Sequence, residues 1–324
     1  MTELDAARGG DESAFARLVA PFRRELRAHC YRMAGSIHDA DDLLQESLLR
    51  AWRGLAGFEG RASLRTWLYK VTTHACLDQL ERRGPRLLPA DLGPATADPR
   101  AIRPPIEDTA FVEPCPPELY SDAATPEARV SRRESVALAF LVALQLLTPK
   151  QRAALIMCEV VGLEASECAE VLGSSVASVT SALQRARDVL ATRSVTTGSP
   201  RAPEADERAV LARYVDAWER ADASALVSLL RDDASLAMPP MQDWLAGAAA
   251  IGAAIEAMVF APARAHGFAL VPIEANGMPG FAVYARGADG SRTAMALHLV
   301  ELRGGQIASM IAFVSPRLFE KFGL

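Results

Sequence analysis

The chain has 324 residues, half of them hydrophobic, and carries a formal net charge of −5. That length predicts two or three domains with sizeable cores. The net negative charge does not by itself indicate a nucleic-acid-binding protein. The five cysteines are scattered without a CxxC pair, which argues against a disulfide framework and a zinc finger.

The first ten residues, MTELDAARGG, are polar and acidic and do not resemble a signal peptide. The longest uninterrupted apolar run, Val136–Leu144, is far too short to cross a bilayer. We therefore expect a soluble, cytoplasmic protein with no contact to a membrane and no bound metal.

Residues 11–34 and the segment SIHDADDLLQESLLRAW both show apolar residues at helical spacing. In the second helix, an acidic and amide face lies beside the apolar stripe, formed by Asp41, Asp42, Gln45 and Glu46. Acidic residues in a first turn also suit the helix dipole. This face is therefore either a solvated helix start or a binding surface.

Residues 58–83 predict a further helix with basic residues interleaved with aromatic ones. Residues 61–86 hold six basic and two acidic side chains, a local excess of 6 − 2 = +4. Basic groups bind phosphate and aromatic faces can stack an unpaired base, although most of these aromatic residues suit a core equally well.

Residues 87–131 contain nine of the chain's twenty prolines. Such a segment cannot hold long helices or central strands, so it is interpreted as a linker. Its apolar patches, such as Phe111–Val112, suggest that it packs against another part of the chain.

Residues 133–193 contain a short apolar-striped helix, a break at Gly173 and a second helix. Ser174 or Ser175 is expected to cap the second helix, whose apolar stripe is predicted to be Val176, Val179, Leu183, Ala186 and Leu190. A polar, arginine-ended helix after a glycine turn is typical of a major-groove reader. An ordinary helical hairpin with a solvated face fits these residues as well.

Residues 204–324 predict helices first and then strands joined by turns at Asn276–Gly277, Asp289–Gly290 and Gly304–Gly305. Helices followed by an antiparallel run indicate an α+β domain.

Several motifs in a fixed order make residues 11–193 resemble an extracytoplasmic-function (ECF) sigma factor of bacterial RNA polymerase. DADDLLQESLLRAW resembles the clamp-binding helix of that family, FEGRASLRTWLYKVTTHACLDQLERR its −10 reader, and residues 147–190 its −35 helix-turn-helix. Residues 204–324 resemble a SnoaL-like domain of the NTF2-like superfamily, with LAMPPMQDWLAG as the most telling stretch.

The resemblance implies two all-α sigma domains, the second a helix-turn-helix, followed by a C-terminal α+β NTF2-like cone. The expected boundaries are 8–86 for sigma region 2, 87–131 for the linker, 132–193 for sigma region 4 and 204–324 for the SnoaL-like domain. The expected partners are promoter DNA and the RNA polymerase core, through its β′ clamp and β flap, together with an intramolecular contact between the SnoaL-like domain and the sigma domains.

The resemblance also assigns residues to each contact. Polymerase binding falls on Asp41, Asp42, Gln45 and Glu46. The −10 contacts fall on Arg61, Arg65, Thr66, Lys70, His74, Asp78 and Arg82, and the −35 contacts on Ser178, Thr180, Ser181, Gln184, Arg185 and Arg187. The family often has Asn at the position of His74 and basic residues at those of Thr180 and Ala182, which leaves the promoter preference open.

Relatives of the C-terminal domain hold a ligand inside the cone, and some are enzymes. Trp244, Tyr284 and His298 are the candidate pocket residues, and Asp243 is a further candidate for acid–base catalysis. None forms a recognisable acid–base pair, so we expect no enzyme activity and no cofactor, and an unknown small ligand at most. Three functions compete: a sigma factor with a regulatory SnoaL-like domain, a SnoaL-type cyclase or hydrolase fused to a DNA-binding module, and a two-site repressor.

Overall fold

The computed structural model describes residues 2–81, 83–106, 111–120, 134–192 and 204–324. The chain divides into two compact units, the first formed by residues 1–86 and 118–198 and the second by residues 87–117 and 199–324. Most of the proline-rich segment therefore belongs to the same unit as the C-terminal residues.

The first unit is helical. With helices numbered in chain order through both units, its helices are α1 (Glu3–Arg8), α2 (Glu12–Val19), α3 (Arg23–Ala34), α4 (Ile37–Gly54), α5 (Leu64–Leu80), α7 (Leu138–Gln145), α8 (Pro149–Leu155), α9 (Ala165–Leu172) and α10 (Val176–Thr192). A π-helical stretch, Ile156–Val160, continues α8. Ser36 and Ser63 start α4 and α5 by accepting hydrogen bonds from the amides of Asp39 (3.1 Å) and Thr66 (3.0 Å).

Helices α9 and α10 form the helix-turn-helix that the sequence predicts. Gly173 ends α9 in the left-handed region at φ 57°, which a residue without a Cβ adopts without strain. The Ser175 hydroxyl accepts from the amide of Ser178 (3.2 Å), so Ser175 is the cap of α10. Val179, Leu183 and Ala186 are buried as expected, but Val176 is 48% exposed because it lies in the first turn of α10, beyond the packed part of the stripe.

The second unit is an α+β domain. Its helices are α6 (Pro89–Leu92), α11 (Ala205–Glu219), α12 (Ala223–Val227), α13 (Ala248–Ile255), α14 (Ala261–Ala263) and α15 (Arg317–Lys321). Its strands are β1 (Leu230–Ala237), β2 (Trp244–Ala246), β3 (Phe268–Ala275), β4 (Met278–Arg286), β5 (Arg292–Arg303) and β6 (Gln306–Phe313).

These strands form one sheet in the order β2-β1-β6-β5-β4-β3, in which only the β1–β6 pair is parallel. Asn276 and Gly277, both at positive φ (53° and 73°), make the two-residue turn between β3 and β4. Gly304 and Gly305 join β5 to β6, also at positive φ. Helices α11 and α13 cover the sheet and share one core with it.

Candidate polymerase and promoter surfaces and the C-terminal cavity

One face of α4 carries the four residues assigned to polymerase binding, but they differ in availability. Asp42, Gln45 and Glu46 are exposed, and Asp42 has no hydrogen bond or ion pair in the part of the chain that the structure describes. Glu46 pairs with Arg50 (2.7 Å) one turn along. Asp41 is only 24% exposed and is held by Arg27 (2.5 Å), so its carboxylate already has a partner within the fold.

The same face continues to Leu49, which sequence reasoning missed. Its side chain is 42% exposed although α4 otherwise buries its leucines. Leu49 lies three and four residues after Glu46 and Gln45, so helical spacing alone was enough to find it. The available surface is therefore Asp42, Gln45, Glu46 and Leu49, which combines acidic, amide and apolar groups.

The residues assigned to the −10 element lie on α5 and on the loop before it. Lys70, His74 and Asp78 are exposed at four-residue intervals along α5, while Thr66 is buried one turn before them. Arg61 lies in the preceding loop and donates to Glu59 (2.6 Å). Arg82 lies outside the described residues.

Two of these side chains form ion pairs with residues of other helices. Arg65 forms an ion pair with Glu25 (2.9 Å) and lies over the ring of Tyr69 at 5.0 Å. Asp78 pairs with Arg50 (2.5 Å) of α4. Glu25 was not foreseen, because nothing in the sequence relates it to a residue forty positions later.

In this structure the face of α5 that bears these residues packs against α9. The His74 imidazole Nε2 lies 2.7 Å from the carbonyl oxygen of Val171. Thr66 Oγ1 lies 3.5 Å from the carboxylate of Glu167. Lys70 and Glu170 line the same cleft of about 400 Å³. The first helix of the helix-turn-helix therefore occupies the surface assigned to the −10 strand.

Buried polar contacts join the same two parts of the helical unit. Arg152 is 3% exposed and donates to the main-chain oxygens of Met33 and Leu144 and to Gln145 Oε1. Arg32 donates to the Ser135 hydroxyl (2.7 Å). Because these buried arginines donate to acceptors of the other part, the two parts of the helical unit form a packed interface.

All six residues assigned to the −35 element are exposed on α10: Ser178, Thr180, Ser181, Gln184, Arg185 and Arg187. Most of them bond within the helix: Thr180 donates to the carbonyl of Val176 (3.0 Å), and Gln184 to Asp188 (3.0 Å). Because these local hydrogen bonds are weak, the polar side chains of α10 remain available to contact a DNA major groove.

His298 on β5 lies at the wall of an apolar cavity of about 180 Å³ in the second unit. Its Nδ1 is 2.8 Å from the hydroxyl of Tyr214, and its ring packs 4.7 Å from that of Trp218. Burial lowers the pKa of His298 to about 3, so the imidazole is neutral at physiological pH. Tyr214 and Trp218 were not foreseen, although their four-residue spacing on α11 puts both on one helix face.

The cavity is almost entirely apolar. Its lining includes five methionines: Met238, Met241, Met258, Met295 and Met310. Neither aspartate nor glutamate is among its described lining residues. The indole Nε1 of Trp218 is buried there without a hydrogen bond to any described residue.

Trp244, Tyr284 and Asp243 do not join this cavity. Tyr284 packs edge-on against Phe319, with ring centroids 5.1 Å apart. The Trp244 indole donates to the carbonyl of Gly93 (2.9 Å), and Asp243 forms an ion pair with Arg103 (2.8 Å). The hydrogen bond from Arg103 lowers the pKa of Asp243.

Asp243 and Trp244 thus hold the proline-rich segment. The Thr96 amide donates to the carbonyl of Trp244 (2.9 Å), and the Cys115 amide donates to Asn276 Oδ1 (2.9 Å). Residues 87–106 and 111–117 therefore lie along the sheet domain as a strap, from α6 to the β3–β4 turn.

Within the described residues there is no cluster of His, Cys, Asp and Glu suited to a metal ion. The helices found in that same part of the chain are too short or too polar to span a membrane.

Comparison with known proteins identifies the domains of the chain. The family model for Sigma-70 region 2 matches residues 18–86, that for Sigma-70 region 4 matches residues 137–190, and that for the SnoaL-like domain matches residues 211–310. The crystal structure of the Mycobacterium tuberculosis extracytoplasmic function sigma factor SigJ covers 94% of this chain and 99% of its own, with a TM-score of 0.60 at 23% identity. At that identity the similarity establishes the fold.

Two relatives carry the similarity in sequence. The ECF RNA polymerase sigma factor SigG of Mycobacterium tuberculosis is 42% identical over 322 residues, which cover 98% of this chain and 85% of SigG. The ECF RNA polymerase sigma factor SigM of the same organism is 32% identical over 190 residues, 58% of this chain and 82% of SigM. The chain therefore belongs to the ECF sigma factors, the subunits that direct bacterial RNA polymerase to promoters, and carries a SnoaL-like domain after its two sigma regions.

Proposed function

We propose that the SnoaL-like domain modulates this sigma factor in cis by holding the segment that joins its two promoter-binding regions. The observation that carries the proposal is the strap. Arg103 and Thr96 of the linker are bound by Asp243 and Trp244 of the sheet domain. A linker held at several points cannot adjust its span as a free chain does, so the domain that binds it controls how regions 2 and 4 are joined.

The same proposal assigns a polymerase contact to α4. Asp42, Gln45, Glu46 and Leu49 form the available face, and a basic surface on the β′ clamp is its complement in charge. Region 4 would then meet the β flap while α10 reads the −35 element. The protein would act in the cytoplasm, where the polymerase core is.

Promoter binding further requires that α9 leave α5. The −10 strand needs the side of α5 that bears Thr66, Lys70 and His74, and two of these three contact α9 in the free chain. We therefore propose that polymerase binding separates regions 2 and 4, and that the strap influences how readily they separate.

A binding role for the C-terminal cavity is favoured over catalysis. A cyclase or hydrolase needs a carboxylate or histidine whose pKa suits proton transfer near neutral pH. His298 has a pKa of about 3 and is therefore neutral near neutral pH, and Asp243 is paired with Arg103 outside the cavity. A small, neutral, mostly apolar ligand suits such a cavity, since neither Lys nor Arg is among its described lining residues to hold an anion.

Transcription in vitro tests the cis-modulation. With core polymerase and a promoter selected from a genomic library, the full chain is compared with a chain lacking residues 204–324 and with the double variant Asp243→Ala/Trp244→Ala. Both changes are expected to alter transcript yield in the same direction, because both release the strap.

Asp233→Ala is the matched control, since Asp233 is an exposed aspartate of the same domain whose ion pair with Arg231 (2.7 Å) does not touch the strap. Equal yields from all four proteins across salt and temperature would contradict the proposal. Turnover of a substrate by the chain, lost on replacing His298 or Asp243, would instead favour the enzyme function.

A further inference from the structure

Two of the five cysteines lie in contact within region 4. Cys158 belongs to the π-helical stretch after α8, and Cys168 lies ten residues later on α9. Their Sγ atoms are 2.8 Å apart. Bonded sulfurs are separated by about 2.04 Å, so the two atoms need to approach by less than about 1 Å to form a disulfide.

The two thiols also differ in access in the way that oxidation requires. Cys168 is fully buried, whereas Cys158 is partly exposed. A small oxidant can therefore reach one sulfur while the other waits beside it. Cysteine pairs in reducing compartments that do oxidise are usually transient and redox-sensing.

A second pair in the same chain provides an internal comparison. Cys30 and Cys76 are 4.0 Å apart between their Sγ atoms, and both are fully buried between α3 and α5. This pair has neither the contact distance nor the access of the first. The pair Cys158–Cys168 is thus distinguished by both its shorter Sγ–Sγ distance and the partial exposure of Cys158.

We propose that Cys158 and Cys168 form a reversible intramolecular disulfide when the protein meets a hydroperoxide. In the first step the Cys158 sulfur attacks the O–O bond of the hydroperoxide, giving a sulfenic acid and releasing an alcohol, or water from hydrogen peroxide. In the second step the Cys168 sulfur displaces hydroxide from that sulfenic acid, and the departing thiol proton completes a molecule of water. The two thiols lose two electrons and the hydroperoxide gains them.

The first step is the slow one. Burial raises the pKa of both thiols, so the reactive thiolate is scarce at neutral pH. The second step has its two sulfurs already in contact. The site therefore responds to sustained peroxide and not to a brief trace of it.

The bond would tie α9 to the end of the preceding helix. α9 is the first helix of the helix-turn-helix and also carries Val171, whose carbonyl contacts His74. A covalent link across residues 159–167 restrains the start of α9. We expect slower hydrogen exchange in residues 158–168 of the oxidised protein.

Peptide mapping of the full chain after treatment with excess hydrogen peroxide tests the proposal. Residues 153–184 contain no Lys or Arg, so trypsin leaves both cysteines on one peptide, which should lose two hydrogens. A glutamate-specific protease cuts after Glu159 and Glu164 and should yield two peptides joined by the disulfide, which dithiothreitol separates. The free-thiol count should fall by two.

Three variants make the outcome decisive. Cys30→Ser should leave the cross-link unchanged, whereas Cys158→Ser should abolish it and leave Cys168 unmodified. Cys168→Ser should convert Cys158 to a sulfenic or sulfinic acid. The proposal is overturned if peroxide over-oxidises Cys158 in the native chain while Cys168 stays a thiol, if Cys30 and Cys76 cross-link first, or if the cross-link forms only in denaturant.

Discussion

Arg185 and Arg187 lie two residues apart on α10 but differ in what holds them. Arg187 forms an ion pair with Glu159 (2.7 Å), which fastens α10 to the π-helical stretch that continues α8. Among the described residues, the Arg185 guanidinium donates only to the Ser181 hydroxyl (2.8 Å) of its own helix. Because a hydroxyl is a weak competitor for a guanidinium, Arg185 is the arginine that can turn to a guanine edge or a phosphate.

Replacing Arg185 with Ala should weaken binding of the holoenzyme to its promoter by roughly tenfold or more, because one arginine contact to the −35 element is lost. Footprinting over a range of salt concentrations measures the effect. Arg220→Ala, on the surface of the SnoaL-like domain, is the control and should leave protection unchanged. Undiminished −35 protection with Arg185→Ala would reject the assignment of α10 to that element.

His298 makes the stability of the second unit depend on pH. Its pKa in the folded protein is about 3, against 6.5 for an unperturbed histidine. Between these values the unfolded chain binds a proton that the folded chain does not, so the free energy of unfolding falls as the pH falls. Above pH 6.5 the contribution is fully present.

The His298 contribution should decrease by about 2 kcal/mol between pH 6.5 and pH 4.5, because the slope reaches about 1.4 kcal/mol for each pH unit only well below pH 6.5. His298→Gln should flatten the curve of unfolding free energy against pH, whatever its effect at pH 7. The free energy of unfolding is measured at each pH by urea unfolding, with tryptophan fluorescence as the signal. The exposed His266→Gln is the control, and an unchanged slope in His298→Gln would contradict the buried neutral histidine.

At the scale of elements, the contact of α9 with α5 is the feature with the largest consequence. It places acidic residues of α9 opposite the basic edge of α5, with Lys70 and Glu170 lining one cleft. Under the proposed function, in which this face of α5 binds the −10 strand, the acidic helix would mimic the charge of the DNA that it displaces. Electrostatic attraction alone would therefore favour the contact of α9 with α5 until promoter DNA and polymerase compete for the surfaces of the two helices.

A zero-length carbodiimide reagent should join Lys70 to Glu170 or Glu167 in the free protein, since an amine and carboxylates face one cleft there. Mass spectrometry of the digested protein identifies the linked peptides. Lys70→Arg keeps the charge but removes the reactive amine and should abolish the link. Persistence of the link in a complete complex with polymerase and promoter would contradict separation of the two regions.

The elements themselves were largely readable from local signals. Gly173 and Ser175 mark the turn and cap of the helix-turn-helix because both act within three residues of their own position. The Asn276–Gly277 and Gly304–Gly305 turns fix the strands around them for the same reason. The short strand β2 was not predicted, since three residues are too few to show the alternating pattern of a strand.

At the scale of the whole molecule, the order of domains and the fold class were predicted correctly. What the sequence did not reveal depends on contacts between distant residues. Tyr214 meets His298 across 84 positions, and Asp243 meets Arg103 across 140. No spacing rule relates such pairs, which is why Asp243 and Trp244 were predicted to serve a pocket and instead bind the strap.

The strap has a consequence for avidity. Once one region of a sigma factor is bound to its promoter element, the second binds at an effective concentration that the tether between them sets. Here residues 87–106 and 111–117 are held against the sheet domain through Trp244, Asp243 and Asn276. Docking and release of that segment change the tether without altering either DNA-binding surface. Under the proposed function, the SnoaL-like domain would thus tune promoter occupancy by changing the length of this tether alone.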